Sequence, residues 1–255
     1  MLKIRVIPTL LHKDYGLVKG VRFDSWRRTG SAMQQIKVYN MREVDELIFV
    51  DITASITGAE PNYTLIDDLA DDCFMPLTVG GGIKTVAQAR KVLQVGADKI
   101  AINSSAISNP NLISEIAELF GSQCVVVSID YRCYENGTYE VYTHSGSKAT
   151  GLDPIEFAIE AERRGAGEIL LTSIDRDGTF QGYDIDCIRA VTGAVSIPVI
   201  ASGGASGYED MRQAIVDGNA SAVAASSIYH FTHLTPFEAK LYLANHNLPV
   251  RLTGI

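Results

Sequence analysis

The chain repeats itself at a fixed interval, and that repeat limits its possible folds more than any other feature. Asp45-Glu46-Leu47-Ile48-Phe49-Val50-Asp51-Ile52 returns 122 residues later as Gly167-Glu168-Ile169-Leu170-Leu171-Thr172-Ser173-Ile174. At the same offset, the Gly81-Gly82 of Thr78-Val79-Gly80-Gly81-Gly82-Ile83 returns as the Gly203-Gly204 of Ala201-Ser202-Gly203-Gly204-Ala205. Each copy runs from an apolar strand-like segment through a helical stretch to a second strand that closes on glycines. A duplicated glycine loop implies two similar anion sites, and so a ligand with a phosphate at each end.

Strand-like runs at 4–11, 46–52, 75–80, 99–103, 124–130, 168–174, 198–202 and 221–225 alternate with amphipathic stretches. Several are apolar throughout, as expected when both faces of a parallel strand are covered. Asn109-Pro110 and Asp153-Pro154 each predict a helix N-cap followed by proline in the first turn. Eight such repeats in about 250 residues predict an α/β fold of the (β/α)8 TIM-barrel type. The expected organisation is a single domain over 1–255, made of half-barrels at roughly 1–122 and 123–255. An open doubly wound sheet fits less well, because the twofold repeat would have to continue across an edge. Residues 130–147 read as an insertion, a hairpin with Asn136-Gly137 at its turn and a return strand at 140–143.

A hydrophobic fraction of 46% supports one sizeable core, and the net charge of −8 comes from interspersed acids and bases. With no basic run to neutralise a phosphate backbone, nucleic acid is not an expected partner. A small phosphorylated ligand needs only local donors. Cys73, Cys124, Cys133 and Cys187 lack the paired short spacings of zinc or redox sites, so free thiols and no metal are expected. Cys124 reads as core packing within its strand. Residues 1–11 are too short and strand-like for a signal peptide, and no apolar run approaches membrane-spanning length. The expectation is a soluble, cytoplasmic protein without a membrane partner.

In such a barrel the working face lies at the C-terminal ends of the strands. The phosphate candidates there are Gly81, Gly82, Asn103 and Ser104 in the first half. In the second they are Asp177-Gly178-Thr179, Gly203, Gly204, Ser226 and Ser227. Asp130 ends an apolar run, where partial burial would raise its pKa into the range of general acid–base catalysis; a loop cap or a partner for Arg132 is the plainer reading. Asp51 also ends a strand, with Thr53 offering it a structural hydrogen bond. Asp175, Arg176 and Asp177 can pair among themselves. Lys19 is expected on a mobile loop, either closing over a phosphate or simply solvated. His12 and His144 have no visible partner, and a surface or supporting role is expected for both. At the opposite end, Arg5, Glu46, Lys99 and Glu168 fall at the starts of four of these strand-like runs, two basic and two acidic, either as an ion-pair plug or as a gate to the interior.

These motifs, with Phe49-Val50-Asp51-Ile52-Thr53-Ala54-Ser55, Phe120-Gly121-Ser122-Gln123 and Thr172-Ser173-Ile174-Asp175-Arg176-Asp177-Gly178-Thr179, carry a resemblance across the whole chain. The sequence resembles the cyclase subunits of imidazole glycerol phosphate synthase, in the histidine-biosynthesis half-barrel superfamily. The resemblance implies a partner glutaminase whose ammonia rises through the barrel to a bisphosphorylated ribonucleotide. The implied products are imidazole glycerol phosphate and an aminoimidazole carboxamide ribotide, with no cofactor. It further implies that the ring of Arg5, Glu46, Lys99 and Glu168 gates ammonia and that Asp98 is a docking position. By the same resemblance, Asp130 is the second catalytic aspartate and Lys19 the loop lysine. One position departs: Leu11 stands where the family has its first catalytic aspartate. Leucine transfers no proton, and His12 or Asp14 are the neighbours that could substitute. Leu10-Leu11-His12-Lys13 instead resembles paralogues of surface-polysaccharide pathways, in which the barrel conducts ammonia from a glutaminase to a separate sugar-amidating enzyme.

Overall fold

The computed structural model describes residues 3–42 and 44–252; residues 1–2, 43 and 253–255 of the expected 1–255 domain lie outside the described residues. Along the chain come β1 (Arg5–Lys13), β2 (Gly16–Val21), β3 (Asp24–Gly30), β4 (Leu47–Asp51), β5 (Leu77–Gly80) and β6 (Lys99–Ile102). They are followed by β7 (Val125–Cys133), β8 (Tyr139–Thr143), β9 (Lys148–Ala149), β10 (Glu168–Ser173), β11 (Val199–Ser202) and β12 (Ala222–Ala225). Eight of these pair in parallel around a closed cycle, β1-β4-β5-β6-β7-β10-β11-β12 and back to β1. Helices lie between successive barrel strands, so the fold is a (β/α)8 TIM barrel. No helix among the described residues is long and apolar enough to cross a membrane.

Alternation along each strand divides the apolar residues between two cores. Val6, Leu10, Phe49, Val79 and Ile102 face outward and bury against helix residues such as Ile36, Ile66 and Ile113. Ile7, Ile48, Ala101, Val126, Leu170, Ile200, Ala222 and Ala224 form a separate cluster inside the barrel. The helix Pro154–Arg163 starts as expected, with the Asp153 side chain accepting from the N–H groups of Ile155 and Glu156. The helix Asn111–Phe120 differs: Pro110 already has helical dihedrals, and Asn109 contributes its carbonyl to Leu112 N–H, with no side-chain cap bond.

Two segments depart from expectation. The segment around Lys19, expected on a mobile loop, belongs instead to the antiparallel pair β2–β3, folded back on β1 through Leu11↔Val18, His12↔Leu17 and Lys13↔Gly16. Leu17 and Val18 are buried there, which holds the flap down. Cys124 lies in a short 3₁₀ turn ahead of β7, half-buried, its thiol donating to Phe120 O at 3.4 Å; it is outside the buried core. The expected insertion is a hairpin, with β8 antiparallel to β7 and Gly137 N–H bonded to Tyr134 O at the turn.

Candidate active site

The C-terminal ends of the barrel strands enclose a cavity of about 350 Å³. Lys19, Gly82, Asn103, Ser104, Asp130, Asp177, Gly178, Gly203, Gly204, Ser226 and Ser227 all line it.

The two glycine turns have the same construction. Gly81 and Gly203 both adopt left-handed backbone, at φ +106° and +88°. A Cβ on Gly81 would fall 2.4 Å from Asp51 O, and one on Gly203 would fall 2.6 Å from Ser173 O. Asp51 and Ser173 are themselves repeat counterparts, so each half presses its turn against the same neighbour. Only glycine tolerates that approach. Beyond the next strand in each half, Asn103 and Ser226 precede the one-turn helices Ser104–Ser108 and Ser227–Phe231. The hydroxyls of Ser226 and Ser227 are buried without a hydrogen-bond partner, as is that of Thr9 in the same cavity. Such groups cost free energy unless a ligand or water satisfies them. The first half is already internally bonded: Asn103 Nδ2 donates to Ser128 O at 3.1 Å and Asp130 Oδ2 at 3.3 Å, and Ser104 Oγ to Asn103 Oδ1 at 3.2 Å.

Asp130 faces the cavity from β7. Burial, aided by the nearby negative charge of Asp177 and opposed by hydrogen bonds from Ser128 and Thr172, pushes its pKa up to about 7. The carboxyl is thus divided between acid and base near neutral pH. Strand register identifies its counterpart in the other half. Asp130 pairs with Thr172 across β7–β10, and Leu11 pairs with Val50 across β1–β4. Val50 and Thr172 stand 122 residues apart, so Leu11 occupies in the first half the place Asp130 holds in the second. Leu11 lines the cavity; His12 and Asp14 do not. His12 is buried against Phe49, with ring centroids 5.6 Å apart, and Asp14 sits at the β1–β2 turn with φ +56°.

Lys19 is not on a loop. It lies within β2, only 2% exposed, its Nζ 2.6 and 2.5 Å from the two carboxylate oxygens of Asp177. The pairing open to Asp175, Arg176 and Asp177 among themselves is not the one adopted. Asp177 takes Lys19, Asp175 takes Arg132 at 3.0 Å, and Arg176 donates to Gln181 O at 3.2 Å. Arg132 is therefore no partner of Asp130. Asp51 takes the structural option, Oδ1 accepting from Thr53 Oγ1, Thr53 N–H and Ala54 N–H at 2.7, 2.9 and 3.2 Å. His144 lines the cavity, its N–H donating to Ser104 Oγ at 3.1 Å.

At the other end of the barrel four charges close a ring. Arg5 Nη1 lies 2.7 Å from Glu46 and 2.9 Å from Glu168, while Lys99 Nζ lies 2.9 and 3.1 Å from the same two carboxylates. Thr78 Oγ1 donates to the free oxygen of Glu46 at 2.7 Å. Asp98, exposed beside Lys99, accepts from Leu77 N–H at 2.8 Å. Among the described residues no group of three or more His, Cys, Asp and Glu is placed to hold a metal.

A sequence profile described as "Histidine biosynthesis protein" matches residues 5–235. The chain belongs to this family. It is 49% identical over 256 residues to imidazole glycerol phosphate synthase subunit HisF of Caulobacter vibrioides, covering 100% of this chain and 98% of the relative. It is 50% identical over 251 residues to the subunit of the same name from Hyphomonas neptunium, covering 98% of this chain and 99% of the relative. In this histidine-biosynthesis barrel the cavity also includes Thr9, Phe23, Trp26, Thr172 and Ser202, none of them candidates from sequence. The repeat carried a signal for two of these, since Thr172 and Ser202 are counterparts of Val50 and Gly80, which line the cavity too. Phe23 and Trp26 gave none, because the largely charged and exposed β3 lacks the apolar pattern that marks a strand.

Proposed function

We propose that the chain is the ammonia-using cyclase-lyase subunit of an imidazole glycerol phosphate synthase. It would convert a bisphosphorylated ribonucleotide and ammonia to imidazole glycerol phosphate and aminoimidazole carboxamide ribotide in histidine biosynthesis. The observation that carries this reading is one cavity with a glycine turn of the same construction on either side and a carboxyl poised near neutrality between them. In the proposal, one phosphate sits at Gly81 and Gly82 with Asn103 and Ser104. The other sits at Gly178, Gly203 and Gly204, where the unpartnered hydroxyls of Ser226 and Ser227 donate to it. Lys19 and Asp177 hold the flap at the mouth. Asp130 takes and returns the protons of ammonia addition and ring closure. Ammonia comes from a glutaminase subunit docked at the opposite end near Asp98, passes the ring of Arg5, Glu46, Lys99 and Glu168, and crosses the apolar interior.

Leu11 favours a second reading, in which the barrel conducts ammonia to a separate sugar-amidating enzyme and has lost cyclase turnover. The two are separated by supplying the purified chain with the bisphosphorylated ribonucleotide and an ammonium salt. The cyclase reading expects turnover that Asp130→Asn lowers by about 10²–10⁴-fold. No turnover above background, alongside an active Leu11→Asp variant, would leave the conduit reading standing and identify the missing acid as the cause.

A further inference from the structure

The flap over the cavity carries two aromatic side chains that belong to neither hydrophobic core. Phe23, at the turn between β2 and β3, and Trp26, in β3, both line the cavity half-buried. The rest of β3 is Asp24, Ser25, Arg27, Arg28, Thr29 and Gly30, a strand with nothing else apolar to bury. The flap is shaped to present these rings. Positive φ at Arg22, Phe23 and Ser25 makes the turn, and the β2–β3 register shifts between Lys19 and Val21. Gly20 leaves room for the indole: a Cβ there would meet Trp26 Cε3 at 2.9 Å and Asp24 O at 2.1 Å. The flap is tied to the second half by Lys19–Asp177 and by Arg22 N–H to Asp177 O at 2.8 Å. The aromatic rings therefore sit over a cavity with a glycine turn on either side.

We propose that Trp26, assisted by Phe23, is the platform on which the planar heterocycle of the bound ligand stacks, between its two phosphates. The inference rests on the phosphate-binding reading above. Phosphate turns alone accept any bisphosphate of suitable span, so a π-face is what selects a nucleotide over a plain sugar phosphate. Indole and phenyl faces supply that selection without requiring a particular hydrogen-bonding edge.

Trp26 is the only tryptophan in the chain, so emission excited at the red edge, where tyrosine does not absorb, reports this residue alone. Two probes separate ring from phosphate: aminoimidazole carboxamide ribotide, and ribose 5-phosphate, which keeps sugar and phosphate without the heterocycle. Both are titrated into the full chain by calorimetry and by fluorescence. The expected result is that both bind and only the ribotide alters the emission. Trp26→Leu then weakens the ribotide by roughly 5- to 100-fold, leaves ribose 5-phosphate unchanged, and Trp26→Phe recovers most of the loss. Equal weakening of both probes, or of neither, would overturn the proposal and reduce Trp26 to packing over Gly20. If neither probe binds the unmodified chain, the phosphate-site reading falls first and this inference with it. Binding of both without discrimination sinks the stacking proposal alone.

Discussion

Asp130 and Leu11 occupy equivalent places in the two halves, and their difference sets what each can do for a bound ligand. Asp130 is held well above the ordinary carboxylate range because folding takes it out of water and sets it near Asp177. Its folded-state pKa of about 7 exceeds the ordinary 3.8, so between these values the folded chain binds the extra proton. Stability therefore falls as pH rises through that window, and the full penalty is present above it. The carboxyl faces an open cavity, so we expect about 1–2 kcal/mol, less than the roughly 4 kcal/mol of the whole shift. Asp130→Asn removes the penalty. At pH 8 the variant should melt about 2–6 °C higher than the unmodified chain, with the gap closing toward pH 4, as measured by calorimetry across that range. A variant equally displaced at both pH values would show that packing, not ionisation, sets the difference.

The two glycine turns are the elements in which the repeat becomes geometry, and they should fail alike. Gly203→Ala places a Cβ 2.6 Å from Ser173 O in left-handed backbone, and Gly81→Ala repeats the conflict at Asp51 O. Each should cost about 1–3 kcal/mol of stability and, by moving N–H groups off the anion, weaken a phosphate probe more than tenfold. Calorimetric titration with melting curves reads both; a loss of stability with unchanged affinity would dissociate the turns from binding. Much at this scale was legible in the sequence. The eight barrel strands announce themselves because both faces are covered, so several of their runs are apolar throughout, and predicted ends fall within a few residues of the observed ones. The flap is different. Glycines at 16, 20 and 30, a register shift and a charged β3 erase the alternation that marks a strand, which is why Lys19 reads as mobile although it is buried against Asp177. That pairing, like Arg132 with Asp175, joins residues more than 40 apart, and no local pattern encodes it.

Across the whole molecule the halves, proposed as 1–122 and 123–255, share one axis with distinct chemistry at its ends. The charged ring lies at the bottom, apolar Ile7, Ile48, Val126, Leu170 and Ile200 fill the middle, and the cavity opens above. The ring interleaves charges drawn from both halves: Arg5, Glu46 and Lys99 from the first, Glu168 from the second. Each cation serves both carboxylates, so removing one leaves the other shared, whereas removing both leaves Glu46, 2% exposed, and Glu168 facing each other unpaired. Single Arg5→Met and Lys99→Met variants should each cost about 1–3 kcal/mol, below the figure for a fully buried pair because both cations keep some contact with solvent. The double variant should cost more than the sum of the two. Adding Glu46→Gln and Glu168→Gln to the double variant should then restore part of the loss, because uncompensated charge, not missing bulk, is what that variant suffers. Denaturant unfolding of the five proteins decides the matter. Simple additivity, or a quadruple variant no more stable than the double, would show that the ring acts through shape and that its charges are not mutually dependent.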